Sequence, residues 1–178
     1  MKAFKTKISS IAILNILLVI AACGTVQSLM KSAFPYTASL IIPADAPVGT
    51  ELTQISTAAN IDQIFGNSTG TSYIKEIRVG SAKLEANNPS NQNLGVIKSV
   101  KLYIMNASGR EVMVASRSEL GENIGSNVVL DIDNSRFIDD YVKDNNLRIK
   151  MVYILRQKLN SDISVRASIN LNSTPSTN

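Results

Sequence analysis

The sequence predicts a mainly β protein, an antiparallel, immunoglobulin-like β-sandwich of about seven strands and two short helices. Apolar and polar residues alternate along several segments, most regularly in residues 163–171, and this period of two is typical of strands with one face in a core. Short stretches rich in Gly, Pro, Asn and Ser separate these segments. Such strands pack best as two sheets face to face, and a closed barrel is the alternative.

Each strand is predicted from its own alternation, and together the strands occupy a domain of residues 34–172. Within residues 73–89, Ile77 and Val79 occupy odd-numbered positions, whereas Ala82, Leu84 and Ala86 occupy even-numbered ones. A β-bulge at Gly80 would add one residue and so place both sets on the same face of the strand. Ser108 and Gly109 form a turn, which predicts a hairpin between the segments on either side. The predicted core-facing strand residues are Phe34, Tyr36, Ala38, Leu40, Ile42, Ile77, Val79, Ala82, Leu84, Ala86, Val100, Leu102, Ile104, Val112, Val114, Val128, Leu130, Ile132, Leu147, Ile149, Met151, Tyr153, Leu155, Ile163, Val165, Ala167, Ile169 and Leu171.

Two segments have helical spacing instead. The first is predicted to begin at Asn60 as cap and to end at Gly66, and the second to be capped by Asn134 or Ser135. The core-facing residues predicted for the two helices are Ile61, Ile64, Phe65, Phe137, Ile138, Tyr141 and Val142. Residues 173–178 are polar and are expected to form a disordered tail.

Residues 1–22 have the features of a cleaved signal helix. Three lysines lie within the first seven residues, and residues 8–22 are apolar apart from Ser9, Ser10 and Asn15. An apolar run of about 15 residues is too short for a comfortable membrane span and has the length of a signal h-region. We therefore expect an exported protein.

The end of this segment, Ile20-Ala21-Ala22-Cys23, resembles the bacterial lipobox. The resemblance implies cleavage between Ala22 and Cys23, a diacylglycerol on the Cys23 thiol and an acyl chain on the new amino group. Cys23 is the only cysteine of the chain. The alternative, an inert buried thiol, does not explain why that cysteine lies at the cleavage point. Two or three acyl chains would make release from the membrane negligible.

The residues after Cys23 bear on where such an anchor would hold the protein. Residues 23–33 comprise the acylated cysteine and a tether, whose ten flexible residues reach roughly 17 Å. In lipobox proteins an Asp after the cysteine often retains the product at an inner membrane, whereas this chain has Gly24. We therefore expect the cell envelope, at an outer membrane, with periplasmic and surface-facing orientations both open.

Charge argues against a nucleic-acid partner. The whole chain has 18 Lys and Arg against 14 Asp and Glu, a net charge of +4. Cleavage would remove Lys2, Lys5 and Lys7 and no acidic residue, which leaves 15 basic and 14 acidic side chains. No basic cluster remains to neutralise phosphates.

Two weaker resemblances concern the body of the chain. Residues 73–171 are similar in order of elements to the type 2 late-embryogenesis-abundant, or water-stress, domain, with the turn NNPSN at residues 87–91. That family has no catalytic residues to transfer. The abundance of Asn, Ser and Ile also resembles uncharacterised lipoproteins of Bacteroidota.

The side chains that most catalytic and metal sites require are scarce. The chain has no histidine, and acylation would occupy its only cysteine. Asp131 with Asp133, and Asp139 with Asp140, are the candidate acid pairs, but the second pair occupies successive helix positions that do not share a face. Residues 131–135 lack the glycine and late glutamate of a calcium loop. We expect no enzyme activity, no metal and no cofactor beyond the lipid on Cys23.

The predicted function is therefore binding or assembly with another envelope protein. Tyr103, Met105 and Met113 face outward and are the predicted surface contacts. Val129, Val152 and Ile154 also occupy outward-facing strand positions although they are apolar. We therefore expect part of a sheet to be covered, either by the chain's own helices or by a partner. Glycan capture is the first alternative and requires Tyr103 to join other aromatics in one patch. Stress protection is the second alternative.

Overall fold

The computed structural model describes residues 32–60, 64, 74–143 and 146–175, and most of them lie in strands. The strands are β1 (Ser32–Ile42), β2 (Glu51–Ile55), β3 (Ile74–Asn88), β4 (Ile97–Met105), β5 (Glu111–Arg117), β6 (Asn127–Val129), β7 (Asp131–Ile132), β8 (Arg148–Leu155) and β9 (Ile163–Pro175). They form two antiparallel sheets, sheet A in the order β1-β9-β3-β6 and sheet B in the order β2-β8-β4-β5-β7. The predicted mainly β, antiparallel architecture is confirmed, with sandwich character.

One core lies between the two sheets. In β9 the five predicted inward residues, from Ile163 to Leu171, are each at most 1% exposed. Val100, Leu102 and Ile104 of β4 are equally buried. The period-two alternation therefore identified the core faces of the long strands correctly. Burial of this apolar surface, rather than disulfide bonds, holds the two sheets together.

A bulge at Gly80 keeps the apolar side chains of β3 on the core face along the whole strand. The register with β9 shifts between Val79 and Ser81, which pair with Leu171 and Asn170. Because one extra residue is accommodated there, Val79 and Ala82 both point into the core, at 2% and 1% exposure. The predicted bulge is confirmed.

Nine strands are present in the described residues, not about seven, for two reasons. β2 was not predicted, because its inward residues Leu52 and Gln54 are only partly buried and one of them is polar. The segment predicted as one strand around Val128 and Ile132 is two strands, β6 in sheet A and β7 in sheet B. Both sheets face the same core, so apolar alternation continues across the crossover and does not reveal it.

The helical predictions are only partly met. A helix, α1, spans Asp139–Val142, and its N-cap is Ile138 without a side-chain hydrogen bond, so the predicted cap at Asn134 or Ser135 is wrong. A 3₁₀ helix at Leu94–Val96 was not predicted. Of the first predicted helix, Ile64 is helical and buried. Its other predicted core residues, Ile61 and Phe65, lie outside the described residues.

The boundaries of the β region are wider than predicted. β1 begins at Ser32 and β9 continues to Pro175, three residues into the predicted tail. The remainder of that tail, residues 176–178, lies outside the described residues. So do residues 1–31, which contain the predicted signal segment, Ala22, Cys23 and most of the tether.

Both sheets extend between the same two ends of the domain, which we call the lower end and the upper end. The lower end is where β1 begins and β9 ends, and the upper end is where β1 ends and β9 begins. At the lower end the Tyr36 hydroxyl of sheet A donates to the backbone oxygen of Leu147, just before β8, at 2.9 Å. Burial raises the Tyr36 pKa to about 12. Tyr36 therefore joins the two sheets in its neutral form.

Replacing Tyr36 with Phe is expected to lower the free energy of unfolding by about 1 kcal/mol at neutral pH, because the hydroxyl's hydrogen bonds with Leu147 and Ser56 are lost. Leu147 keeps a second bond, since its oxygen also accepts from the Ala59 amide. Above about pH 10 the unfolded tyrosine loses its proton while the folded one keeps it, so wild-type stability falls as pH rises towards about 12. Denaturant titrations at about pH 8 and about pH 11 should show a smaller fall for Tyr36→Phe. An equal fall in both proteins would contradict the assignment.

Candidate partner-binding surface

The predicted contacts Tyr103 and Met113 lie side by side on the outer face of sheet B. Tyr103 on β4 is directly opposite Met113 on β5 and Lys150 on β8. Lys150 is in turn opposite Ile55 on β2. Ile55, Lys150, Tyr103 and Met113 thus form one row across four strands, which we call the tyrosine row. Sequence reasoning missed Ile55 because β2 was not recognised, although residues 51–55 alternate.

Met105 and Tyr103 are half-buried beneath an ion pair that crosses β4. The Lys150 ammonium lies 2.8 Å from both carboxylate oxygens of Glu111 on β5 and 5.1 Å from the centroid of the Tyr103 ring. Lys150 and Glu111 lie on the strands that flank β4, and Glu111 is opposite Met105. Lys150 therefore reaches past the Tyr103 ring to Glu111 and keeps its charge at the surface.

A second ion pair crosses β8 in the same way. The Lys101 ammonium on β4 lies 3.2 Å from the Glu51 carboxylate on β2, and Val152 on β8 lies directly opposite Lys101. Val152 is only 7% exposed although it faces outward. The described helix does not cover this face, because Val142 of α1 is fully buried in the core. Within the described residues, charged side chains of the two sheets flank this face, and α1 does not. Most of the first predicted helix lies outside the described residues, so cover by that helix stays a prediction.

Two apolar side chains of the tyrosine row remain exposed, Ile55 at 47% and Met113 at 36%. Val129 is 67% exposed, but it belongs to the edge of sheet A. The outward apolar residues predicted from parity are therefore split between two sheets. The part that can meet a partner on sheet B is the tyrosine row.

Among the described residues, the aromatic side chains do not gather around Tyr103. Its cross-strand neighbours are a methionine and a lysine. Phe137 was predicted to be in the core, but it precedes α1, is 49% exposed, and stacks against the Arg78 guanidinium at 4.1 Å from its ring centroid. Tyr141 is half-buried, with Arg110 5.1 Å from its ring centroid. The aromatic patch that glycan capture by stacking requires is not formed by these residues.

The candidate acid pairs are used in local structure. Asp133 accepts from the Ser135 hydroxyl at 2.6 Å and the Ser135 amide at 3.1 Å, and these bonds lower its pKa. Asp139 accepts from the Ile77 amide at 2.9 Å and lies 3.5 Å from the Lys143 ammonium. Asp131 and Asp140 are exposed. The Asp133 contacts shape the turn after β7, and the Asp139 contact holds the start of α1 against β3.

No group of three or more metal-ligating side chains occurs within the described ranges. Nor does that part of the chain contain a helix of the length and apolarity needed to cross a membrane. Cys23 and Ala22, the predicted lipidation and cleavage residues, lie outside it.

The outer face of sheet A contains a shallow depression of about 320 Å³. Its accessible lining is mostly apolar, although four of the lining side chains carry a hydroxyl or an amide. Two of these bond to each other, since Asn170 Nδ2 donates to Ser81 Oγ at 2.8 Å. The lining residues are Pro35, Thr37, Ser81, Ala82, Lys83, Val129, Ser168 and Asn170. This surface therefore offers mainly apolar contact, and its one cation, Lys83, lies 3.4 Å from the Glu85 carboxylate.

Comparisons with known proteins assign no family. No protein-family model matches the chain, and no curated protein matches it closely enough to count as a relative. A chain from Desmodium yellow mottle tymovirus is 10% identical, with 84% of this chain and 91% of that chain covered and a TM-score of 0.26. A chain from tobacco necrosis virus is 7% identical, with 83% and 98% covered and a TM-score of 0.28. Both TM-scores are too low to carry an argument about fold or function.

Proposed function

We propose that this protein is a lipid-anchored module of the cell envelope that binds another envelope protein without catalysis. Its anchor is the acylated Cys23, exposed by cleavage after Ala22, and its membrane is an outer membrane. The order of charged segment, apolar segment, small pair and single cysteine supports this. The two antiparallel sheets support a sandwich, which we assign to the immunoglobulin-like type.

The observation that carries the binding role is the tyrosine row. Ile55 and Met113 expose apolar surface at its two sides, and Lys150 and Tyr103 lie between them. Tyrosine, methionine and a central desolvated contact are typical of protein interfaces. Each ion pair around the row is partly exposed and contributes at most about 1 kcal/mol, so a partner can displace it.

A non-catalytic role is supported by the available chemistry. The chain has no histidine. Within the described residues, the carboxylates of Asp133 and Asp139 are engaged by backbone amides and neighbouring side chains. Groups held in this way stabilise turns and are poorly placed to exchange protons with a substrate.

Glycan capture is the second candidate, and its support is limited to four polar side chains in the depression on sheet A. Ser81, Ser168, Thr37 and Asn170 present hydroxyl and amide groups that can hydrogen-bond to sugar hydroxyls. This version of the hypothesis places the glycan on sheet A and does not use Tyr103.

The test is crosslinking in intact cells, followed by purification of the acylated protein and identification of what is bound to it. In the double variant Ile55→Glu, Met113→Glu, two charges would enter the contact, so recovery of the partner is expected to fall by about tenfold or more. Ile41→Glu is the matched control, since Ile41 is 58% exposed on the outer face of sheet A. Equal recovery from the double variant would refute the surface, and recovery of glycan alone would favour sheet A.

A further inference from the structure

The tether limits which part of the domain can meet the membrane. Cys23 and Ser32 are nine residues apart, so even a fully extended tether spans at most about 30 Å. Ser32 is at the lower end, and β1 has 11 residues, which rise about 35 Å to the upper end. An acylated Cys23 therefore holds the lower end near the bilayer, and the tether is too short for the upper end to turn towards it.

An exposed aromatic ring with a cation against it lies in this lower half. Arg78 on β3 is close to the pairing of Ile74 with Pro175, where the strands end. Its guanidinium carbon is 4.1 Å from the centroid of the Phe137 ring, and Nη1 donates to the Asn134 oxygen at 3.0 Å. Phe137 is 49% exposed.

A second pair of the same kind lies at the turn between β4 and β5. Arg110 is exposed there, and its guanidinium carbon is 5.1 Å from the centroid of the Tyr141 ring. β5 leaves this turn at the lower end, where Met105 pairs with both Glu111 and Arg148. Among the described residues, neither Arg78 nor Arg110 forms an ion pair.

We propose that the lower end of the domain rests on the phospholipid headgroups, with Arg78 and Arg110 donating to lipid phosphates and Phe137 and Tyr141 entering the interface. The inference depends on the acylation of Cys23 proposed above. Guanidinium groups bind phosphate in a bidentate manner. Aromatic rings beside wet polar groups are favoured at the membrane–water interface.

The test uses the fact that the chain has no tryptophan. Phe137→Trp places a single tryptophan at the lower end. Val48→Trp places one at the upper end, where Val48 bridges to Leu155 and is 42% exposed. Each acylated protein is reconstituted into vesicles of phosphatidylethanolamine and phosphatidylglycerol with brominated acyl chains. Quenching is expected to reduce the fluorescence of Phe137→Trp to roughly half and to leave Val48→Trp unchanged.

Charge reversal tests the arginines. Adding Arg78→Glu and Arg110→Glu to Phe137→Trp should abolish most of the quenching, because the phosphate contacts become repulsive. Arg166→Glu is the matched control: Arg166 pairs with Ser39 towards the upper end and donates to Asn87. It should leave the quenching unchanged.

Two kinds of result overturn the proposal and are distinguishable. If the protein is acylated and floats with the vesicles, but Phe137→Trp is unquenched or quenched no more than Val48→Trp, the orientation is wrong and the anchor stands. If it fails to float and mass spectrometry shows an unmodified Cys23, the anchor is wrong and the orientation falls with it.

Discussion

Gly95→Ala is expected to lower the free energy of unfolding by about 3 kcal/mol and the melting temperature by about 10 °C. Gly95 lies in the 3₁₀ helix at the upper end and is buried. A Cβ there would overlap the backbone carbonyl of Glu122 and come within 2.8 Å of the Gly121 oxygen. Backbone atoms cannot rotate away as a side chain can, so the strands on either side must shift.

The backbone around Gly95 is held in place from several directions. Asn93 Oδ1 accepts from the amides of Gly95 at 3.0 Å and Gly125 at 3.2 Å, and its Nδ2 donates to the Glu122 oxygen at 2.6 Å. Arg156 Nε donates to the Gly95 oxygen at 3.2 Å, and its Nη2 donates to Leu120. Any displacement that relieves the overlap must break some of these bonds.

Gly80→Ala is the matched control for this prediction. Its Cβ would meet the side chain of Asn172, with Cγ at 2.8 Å, and that side chain can rotate. The loss should therefore be below about 1 kcal/mol. Thermal and denaturant unfolding of the three proteins would compare them. A Gly95→Ala protein as stable as Gly80→Ala would show that the upper-end loops are not packed as described.

Local patterns were sufficient for the core faces of the long strands. Whether a residue of β9 faces the core depends on whether its position in that strand is odd or even. The alternation of Val165, Ala167 and Ile169 with polar residues shows this directly. The bulge at Gly80 was predictable for the same reason, since a change of parity within one strand requires it. Outward placement of Tyr103 and Met113 also followed from parity.

Contacts between distant segments were not predictable. Phe137 belongs by spacing to a helix face, but α1 begins only at Asp139, and Arg78, far away in sequence, stacks on the ring. The ion pairs Lys101–Glu51 and Lys150–Glu111 depend on the order β2-β8-β4-β5, which no alternation specifies. In the tyrosine row, the outward placement of Tyr103 and Met113 is thus predictable from the sequence, whereas that of Ile55 and Lys150 beside them follows from the strand order.

Cys23→Ala is expected to have the largest effect on the protein in cells. Without the thiol there is no site for diacylglycerol, and the peptidase that acts on acylated substrates should leave residues 1–22 attached. Each acyl chain contributes roughly 0.8 kcal/mol per buried methylene, so the proposed membrane anchor disappears with this one sulfur. The variant should be recovered uncleaved and without lipid, while its sandwich domain unfolds at the wild-type temperature.

The most direct measurement is intact-mass spectrometry of the wild-type protein purified from cell membranes, with a thiol-alkylating reagent added after unfolding. Because Cys23 is the only cysteine, any alkylation reports on that residue alone. If Cys23 carries the lipid anchor, the protein begins at Cys23, is heavier than residues 23–178 by diacylglycerol and an acyl group, and resists alkylation. A protein that keeps residues 1–22, or one whose Cys23 is alkylated, would contradict the lipid anchor.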